Sequence, residues 1–432
     1  MKIDRRGFLA STGMTAAAIA ATYRSATSGA GTPAGADLNT WAGIREQFGV
    51  SPEFVHMSSF FLASHPASVR QAIEDYRRQL DSNPLEAVRT QNGRLKVETA
   101  IAGYLGAKPE EIALTDSTTM GLGLVYHGLM LKAGQEILTT THDHYSHHES
   151  IRLAAGRAGA SVKKISLFDD FKSISEAGIV DRIKRELTAK TRVVGITWVH
   201  SSSGVKLPIS SIAAAIAEKN RGRAEADKTL LIVDGVHGLG VEDEAVAKLG
   251  ADFFIAGTHK WMFGPRGTGI ILANAETWKL VRPIIPSFSG AAMSGWFSGS
   301  AEPATRAEMM TPGGFHSFEH RRAVPAAFAF HEQIGRAKIA GRIHALNEQL
   351  KEGFAKMPKI TLHTPRGTKL SAGMVCFDVE GMRPGTVVQK LLAKKVIAST
   401  TPYSVTYARL APCLLNDENE VDAVLRHVRE LS

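Results

Sequence analysis

Between residues 112 and 272 the chain alternates short apolar runs of strand length with helix-length stretches, and this alternation narrows the possible folds more than any other feature. The runs at 112–115, 136–140, 192–199, 231–234 and 253–257 each give way to polar or glycine-rich turns. Such a series predicts an α/β architecture, a mostly parallel sheet with helices on both faces, whose ligands gather at the carboxyl ends of the strands. Two of those ends carry groups of opposite charge. Leu231-Ile232-Val233 stops at Asp234, and Phe253-Phe254-Ile255-Ala256-Gly257 continues through Thr258-His259 to Lys260.

A carboxylate and an amine at neighbouring strand ends form the pair that a pyridoxal phosphate (PLP) site needs. The lysine forms a Schiff base with the aldehyde, and the carboxylate keeps the pyridinium nitrogen protonated. His237 follows Asp234 by three residues, and the turn Gly264-Pro265-Arg266-Gly267-Thr268-Gly269 leads from the lysine into the apolar run Ile270-Ile271-Leu272. This D-x-x-H, H-K, G-P-x-G-x-G order resembles the fold-type I PLP enzymes of the class V aminotransferase group, which holds isopenicillin N epimerase-like enzymes, cysteine desulfurases and kynureninase-like proteins. The resemblance implies a fold-type I transferase: a large PLP-binding domain over residues 37–285, beginning with an N-terminal lead-in segment. An interface segment and a smaller C-terminal α/β domain then make up residues 286–432. It also implies a homodimer acting on a small-molecule or peptide substrate.

Asp116-Ser117-Thr118-Thr119 lies at a strand-to-helix turn, where hydroxyls, backbone N–H groups and the helix dipole favour an anion. In the resemblance this turn holds the cofactor phosphate through Thr118 and Thr119, and His259, directly before the lysine, reaches the same group. The Asp143-His144 pair corresponds to the loop that lays a ring on the cofactor face, which makes His144 the stacking residue and an acid/base helper. Four histidines fall between positions 142 and 148, but their spacing suits no metal-ligand set, and no metal is expected. The resemblance further assigns Asp234, His237 and Lys260 to the cofactor and Lys260 with His144 to catalysis. Ser201 stands where Asn often contacts the cofactor, and Trp198 where His is usual. Arg409 is the candidate clamp for a substrate carboxylate. The family's Gly-Thr pair near the interface is missing, which leaves Arg321 or Arg322 as a cationic substitute. Phe60 and Phe61 lie in an extended stretch at 54–61 that the resemblance sets beside the substrate; lining the pocket is one role open to them and core packing the expected one, and one long helix is expected over 325–356.

The first 36 residues read as a targeting segment. Asp4-Arg5-Arg6-Gly7-Phe8-Leu9-Ala10 resembles the twin-arginine export motif, with Asp4 for the usual Ser/Thr and Ala10 for the common Lys. The weakly apolar, alanine-rich stretch behind it is too short for a permanent membrane span. The implied location is the periplasm, reached in the folded state through the twin-arginine machinery. A formal charge of +9 is spread over 432 residues without a Lys/Arg block interleaved with aromatics, so no nucleic-acid partner is expected. The cysteines are Cys376 and Cys413, neither in a redox or metal spacing. Neither falls in the stretch 396–403, where the resemblance would place a desulfurase's nucleophile.

Family and compartment together imply action at the Cα of an amino acid, free or borne on a peptide. The leading expectation is conversion of the side-chain glutamate of a pyoverdine siderophore to succinamide by oxidative decarboxylation. A periplasmic aminotransferase or epimerase of small amino acids is the alternative within the same chemistry. A non-catalytic metal- or ligand-binding protein, built on the histidine cluster, is the alternative outside it.

Overall fold

The computed structural model describes residues 37–89, 92–300 and 303–431. The twin-arginine motif lies outside the described residues. In chain order the strands are β1 (Val55–His56), β2 (Ile112–Thr115), β3 (Glu136–Thr140), β4 (Ser161–Ile165), β5 (Thr191–Thr197), β6 (Leu230–Asp234), β7 (Phe253–Gly257), β8 (Gly269–Leu272), β9 (Ile360–Leu362), β10 (Val375–Val379), β11 (Val396–Ile397), β12 (Ser399–Thr400) and β13 (Ala408–Leu410).

Strands β2 to β8 form one seven-stranded sheet in the order β2-β8-β7-β6-β5-β3-β4. Neighbours pair in parallel except at β8, which runs antiparallel to both β7 and β2. The glycine-rich turn after Lys260 makes that reversal, with Gly267 at φ +75°, a conformation glycine adopts at little cost. Because β8 alone runs backwards, the loops that follow β2, β3, β5, β6 and β7 all open at one edge.

Strands β2, β5, β6, β7 and β8 are buried at every residue, as a sheet covered on both faces requires. Successive residues alternate between two apolar cores. Ile137, Val193, Ile232 and Ile255 join the cluster under one face; Leu138, Val194, Val233 and Phe254 join the cluster under the other. Each such side chain contributes about 1.5–3 kcal/mol on burial. The edge strand β4 instead carries Lys163 and Lys164 and is largely exposed, which discourages further pairing.

A second, four-stranded antiparallel sheet has the order β12-β13-β10-β9. Its own core joins Phe377 and Leu410 to Leu346, Leu350 and Phe354 of helix Arg336–Ala355 and Val424 of helix Glu418–Leu431. The lead-in strand β1 pairs in parallel with β11, and Ala411 N donates to Met57 O, so the segment before residue 60 is bonded to the C-terminal part of the chain.

The helix expected over 325–356 is two helices, Phe318–Ile334 and Arg336–Ala355. Gly335 between them has φ +97°, which no α-helix can continue and which favours glycine. The first helix also begins earlier, with Pro325 inside it. Among the described residues, no helix is long and apolar enough to cross a membrane. Both cysteines are buried free thiols.

Candidate active site

The loops at the carboxyl edge of the large sheet and the segment around β13 line an open cleft of about 140 Å³. Thr118, Thr119, His144, Ser201, Asp234, His237, His259, Lys260 and Arg409 all line it. A larger groove lies between Pro283 and Met309, lined by residues such as Phe288, Met293 and Trp296, and among the described residues no titratable side chain lines it. The amine, carboxylate, imidazoles and guanidinium at the strand ends gather in the smaller cleft.

At one end of the cleft Ser117 caps helix Thr118–Gly128, its Oγ accepting from Met120 N at 3.1 Å. The first-turn N–H groups of such a helix have no intrahelical acceptor, and together with the dipole they favour an anion. Thr118 Oγ1 accepts from Gly257 N at 2.8 Å, which joins this turn to the end of β7. Thr119 is exposed beside it. His259 Nδ1 lies 3.4 Å from the Thr268 carbonyl oxygen, and burial holds its imidazole below the ordinary value. Arg321 pairs with Asp116 at 3.5 Å, one residue before the capping serine.

Asp234 is buried at the end of β6, with Oδ1 accepting from Val236 N at 3.1 Å. Burial raises its carboxyl well above the usual range, while the Val236 N–H and Lys260 pull it down. Lys260 is lowered by burial and by Arg409, with Asp234 acting in the opposite sense. Its Nζ lies 3.3 Å from His237 Nε2, and His237 Nδ1 accepts from the Trp261 indole at 3.1 Å. Phe60 is 2% exposed and stacks on Trp261 with centroids 5.4 Å apart, as core packing predicts. Phe61 departs from that expectation. It is 69% exposed at the mouth of the cleft, while Phe60 lines the same cleft from its buried seat; only Val55–His56 of the stretch expected to be extended is strand, and 57–61 is a turn closed by Phe61 N donating to Ser58 O at 3.1 Å.

His144 caps helix Tyr145–Ala158, its Nδ1 accepting from Ser146 N at 3.3 Å. Burial, then Lys260 and Arg409, hold this ring below its ordinary value, so it is neutral at neutral pH. Asp143 anchors the turn before it: Oδ2 accepts from Thr140 N at 2.9 Å, from Thr140 Oγ1 at 2.6 Å and from Thr139 Oγ1 at 3.1 Å. The other histidines diverge. His142 stacks on Phe168 at 4.2 Å, His147 meets Tyr126 OH at 2.7 Å, and His148 Nε2 lies 2.7 Å from the Thr140 carbonyl. Among the described residues no group of three or more His, Cys, Asp or Glu is arranged to hold a metal.

Arg409, on β13, is buried and donates to Ser201 O at 2.7 Å, Ser399 Oγ at 3.1 Å and Thr400 O at 3.5 Å. Its guanidinium lies 4.7 Å from the centroid of Phe60. Among the described residues Arg409 has no carboxylate within salt-bridge distance. A desolvated cation held only by dipoles is complementary to an anionic ligand. Ser201 Oγ bonds Tyr403 OH at 2.7 Å, and the Tyr403 ring stands edge-on to His144 at 5.9 Å. Tyr403 has no local signal in the sequence that ties it to Ser201. Ser117, part of the hydroxyl-rich turn expected at the helix start, is the residue that caps it. Trp198 is a core residue: a Cβ on Gly238 would come within 2.1 Å of its ring.

The donor set fits PLP. A buried carboxylate and a buried amine share one cleft with an anion-favouring helix start and a neutral imidazole. The sequence pattern of the family described as "Aminotransferase class-V" matches residues 63–424. Isopenicillin N epimerase of Streptomyces clavuligerus is 24% identical over 364 residues, covering 81% of this chain and 86% of that protein. A probable cysteine desulfurase of Pyrococcus abyssi is 25% identical over 366 residues, covering 82% and 86%. Among solved structures, a C-DES mutant with glycine covalently linked to its PLP cofactor superposes with a TM-score of 0.79 at 21% identity, over 89% of this chain and 99% of that one.

Proposed function

The chain belongs to the class V aminotransferase family of PLP-dependent enzymes, and from that premise we propose that it acts at the Cα of an amino acid, free or borne on a peptide, whose carboxylate is held by Arg409. The observation that carries this reading is the buried Arg409 guanidinium, without a salt bridge among the described residues, in the same cleft as Lys260 and Asp234. When bound, PLP supplies an electron sink for whichever Cα bond breaks.

The chain's own residues hold and orient around that sink. Asp234 would accept a hydrogen bond from the protonated ring nitrogen in a dry site. The start of helix Thr118–Gly128, with Thr118, Thr119 and His259, holds the phosphate. His144 would cover the ring face as a neutral imidazole, and Ser201, backed by Tyr403, would offer a hydroxyl from the loop after β5. Lys260 would hold the cofactor through its amine, and the same amine is the group placed to move a proton at Cα. Arg409 would orient the substrate carboxylate and thereby the bonds at Cα. Persulfide chemistry has no nucleophile here. Cys376 and Cys413 are buried, burial pushes their thiols up to about 12 and about 11, and neither lines the cleft.

For location and substrate we propose the periplasm and a pyoverdine side-chain glutamate, converted to succinamide by oxidative decarboxylation. The twin-arginine motif at Arg5-Arg6 and the epimerase-like motif order support this reading. Transamination or epimerisation of a small amino acid would use the same residues. The first test is colour: protein supplied with PLP should absorb in the visible and a Lys260→Ala variant should not. A colourless parent overturns every enzymatic reading. Incubation with glutamate-bearing siderophore precursor should then release CO2 with oxygen uptake and no need for a keto acid. Strict keto-acid dependence would identify a transaminase, and inversion at Cα without mass change an epimerase.

A further inference from the structure

Trp261 follows the cofactor lysine directly and is buried, and its indole N–H has a partner in His237 Nδ1 at 3.1 Å. An indole N–H only donates, so Nδ1 must be unprotonated, and a neutral imidazole bonded in this way carries its hydrogen on Nε2. That nitrogen lies 3.3 Å from Lys260 Nζ. A donor aimed at the amine favours the form that offers a lone pair, whereas an ammonium would set N–H against N–H. Phe60 holds the arrangement in place. It stacks on the indole with planes 13° apart and meets the His237 ring edge-on, centroids 5.5 Å apart.

We propose that Trp261 is a positioning residue that locks His237 in its Nε2–H tautomer, and that this tautomer holds Lys260 as the free amine that captures the cofactor aldehyde. The inference rests on Lys260 being the cofactor lysine. The other groups facing Lys260 act alongside the tautomer: Asp234 favours the ammonium, Arg409 opposes it, and burial keeps His144 and His259 below their ordinary values. Burial, then Lys260 and Arg409, also hold the His237 imidazole well below its ordinary value, so its tautomer and not its charge is free to change. In the capture step the Nζ lone pair bonds the aldehyde carbon, and the carbonyl oxygen leaves as water with the two amine hydrogens. Only the free amine can begin it. The pH at which capture is half-maximal therefore reports the lysine's proton affinity.

Without the indole donor, His237 can turn its proton to Nδ1 and accept from a lysine ammonium. In Trp261→Phe apo-protein mixed with PLP, the midpoint of the capture-rate profile, followed by visible absorbance, should move about one pH unit higher, a roughly tenfold slower capture near neutrality. In a His237→Leu background the same Trp261→Phe change should add no shift, since the two act through one bond. A merely structural tryptophan would slow capture equally at every pH and would do so in both backgrounds, and that result overturns the proposal. If Lys260→Ala captures PLP with the same band, the lysine assignment itself falls. If Lys260→Ala is blank and the Trp261→Phe midpoint does not move, only the tautomer lock falls. Should Trp261→Phe fail to fold, the 15N spectrum of the histidine-labelled parent decides: a protonated Nε2 on His237 supports the lock, and a protonated Nδ1 overturns it.

Discussion

Replacing Asp234 by Asn should strengthen the apo-protein while weakening its hold on PLP. The carboxylate is buried at the end of β6 with one backbone N–H on Oδ1. Burial raises its carboxyl to about 6, against the pull of Val236 N–H and Lys260. Between the ordinary carboxylate value and that raised one, the native state binds more protons than the unfolded chain, so apo-protein stability falls as pH rises through this window. A raise of about two units is worth at most about 3 kcal/mol at neutral pH. Lys260 loses its partner in the variant, which returns part of the gain, so about 1–2 kcal/mol and a few degrees in Tm are expected. The effect should vanish below the window, where the parent carboxyl is protonated in both states. With PLP present the sign reverses, because the same carboxylate makes a charge-assisted bond to the ring nitrogen, worth about 1.5–3 kcal/mol in a dry site. The Kd for PLP should rise roughly 10- to 100-fold. Thermal unfolding of the apo-protein against pH reads the first effect, and absorbance titration with PLP the second. A variant less stable than the parent at neutral pH, or one that binds PLP within about threefold of it, refutes the role given to Asp234.

Arg409→Lys keeps the charge but loses the planar fork that donates to Ser201 O and Ser399 Oγ; KM for a carboxylate-bearing substrate should rise about 10- to 100-fold with the cofactor band unchanged, and an unchanged KM rules out the clamp. Gly335→Ala forces a side chain into φ +97° and should destabilise the fold by about 1–3 kcal/mol, read as a lower urea midpoint; an unaltered midpoint contradicts the helix break. A thiol reagent should leave the native protein unlabelled at neutral pH and modify both Cys376 and Cys413 once denaturant exposes them; rapid native labelling contradicts their burial and raised thiol values.

Eight of the residues assigned to the cofactor and substrate lie at the ends of apolar runs of the large sheet or in the turns that follow them, and parallel connectivity brings those ends to one edge. Arg409 is in the middle of β13 in the antiparallel sheet and was legible only through the family resemblance, yet it lines the same cleft. Other outcomes had no local signature. Phe60 and Phe61 are the same residue type at adjacent positions and both line the cleft, and only the tertiary seat on Trp261 decides that Phe60 is buried while Phe61 is exposed. The helix break at Gly335 is marked by a single glycine in a helical pattern that also contains the tolerated Gly341 and Gly353. Tyr403 became part of the site only through a bond to Ser201, some two hundred residues away in sequence.

The sequence by itself determined the alternating α/β frame, the carboxylate and amine at neighbouring strand ends, and hence the kind of cofactor the chain can hold. Those features are periodic or local, and a run of a few residues encodes them. Only the tertiary structure decided where the protons sit: on His237 Nε2 because Trp261 donates to Nδ1, on Asp234 more readily than in water because the sheet excludes solvent, and less readily on Lys260 for the same reason. Proton position depends on burial and on contacts near 3 Å between residues distant in the chain, and no local pattern carries that information.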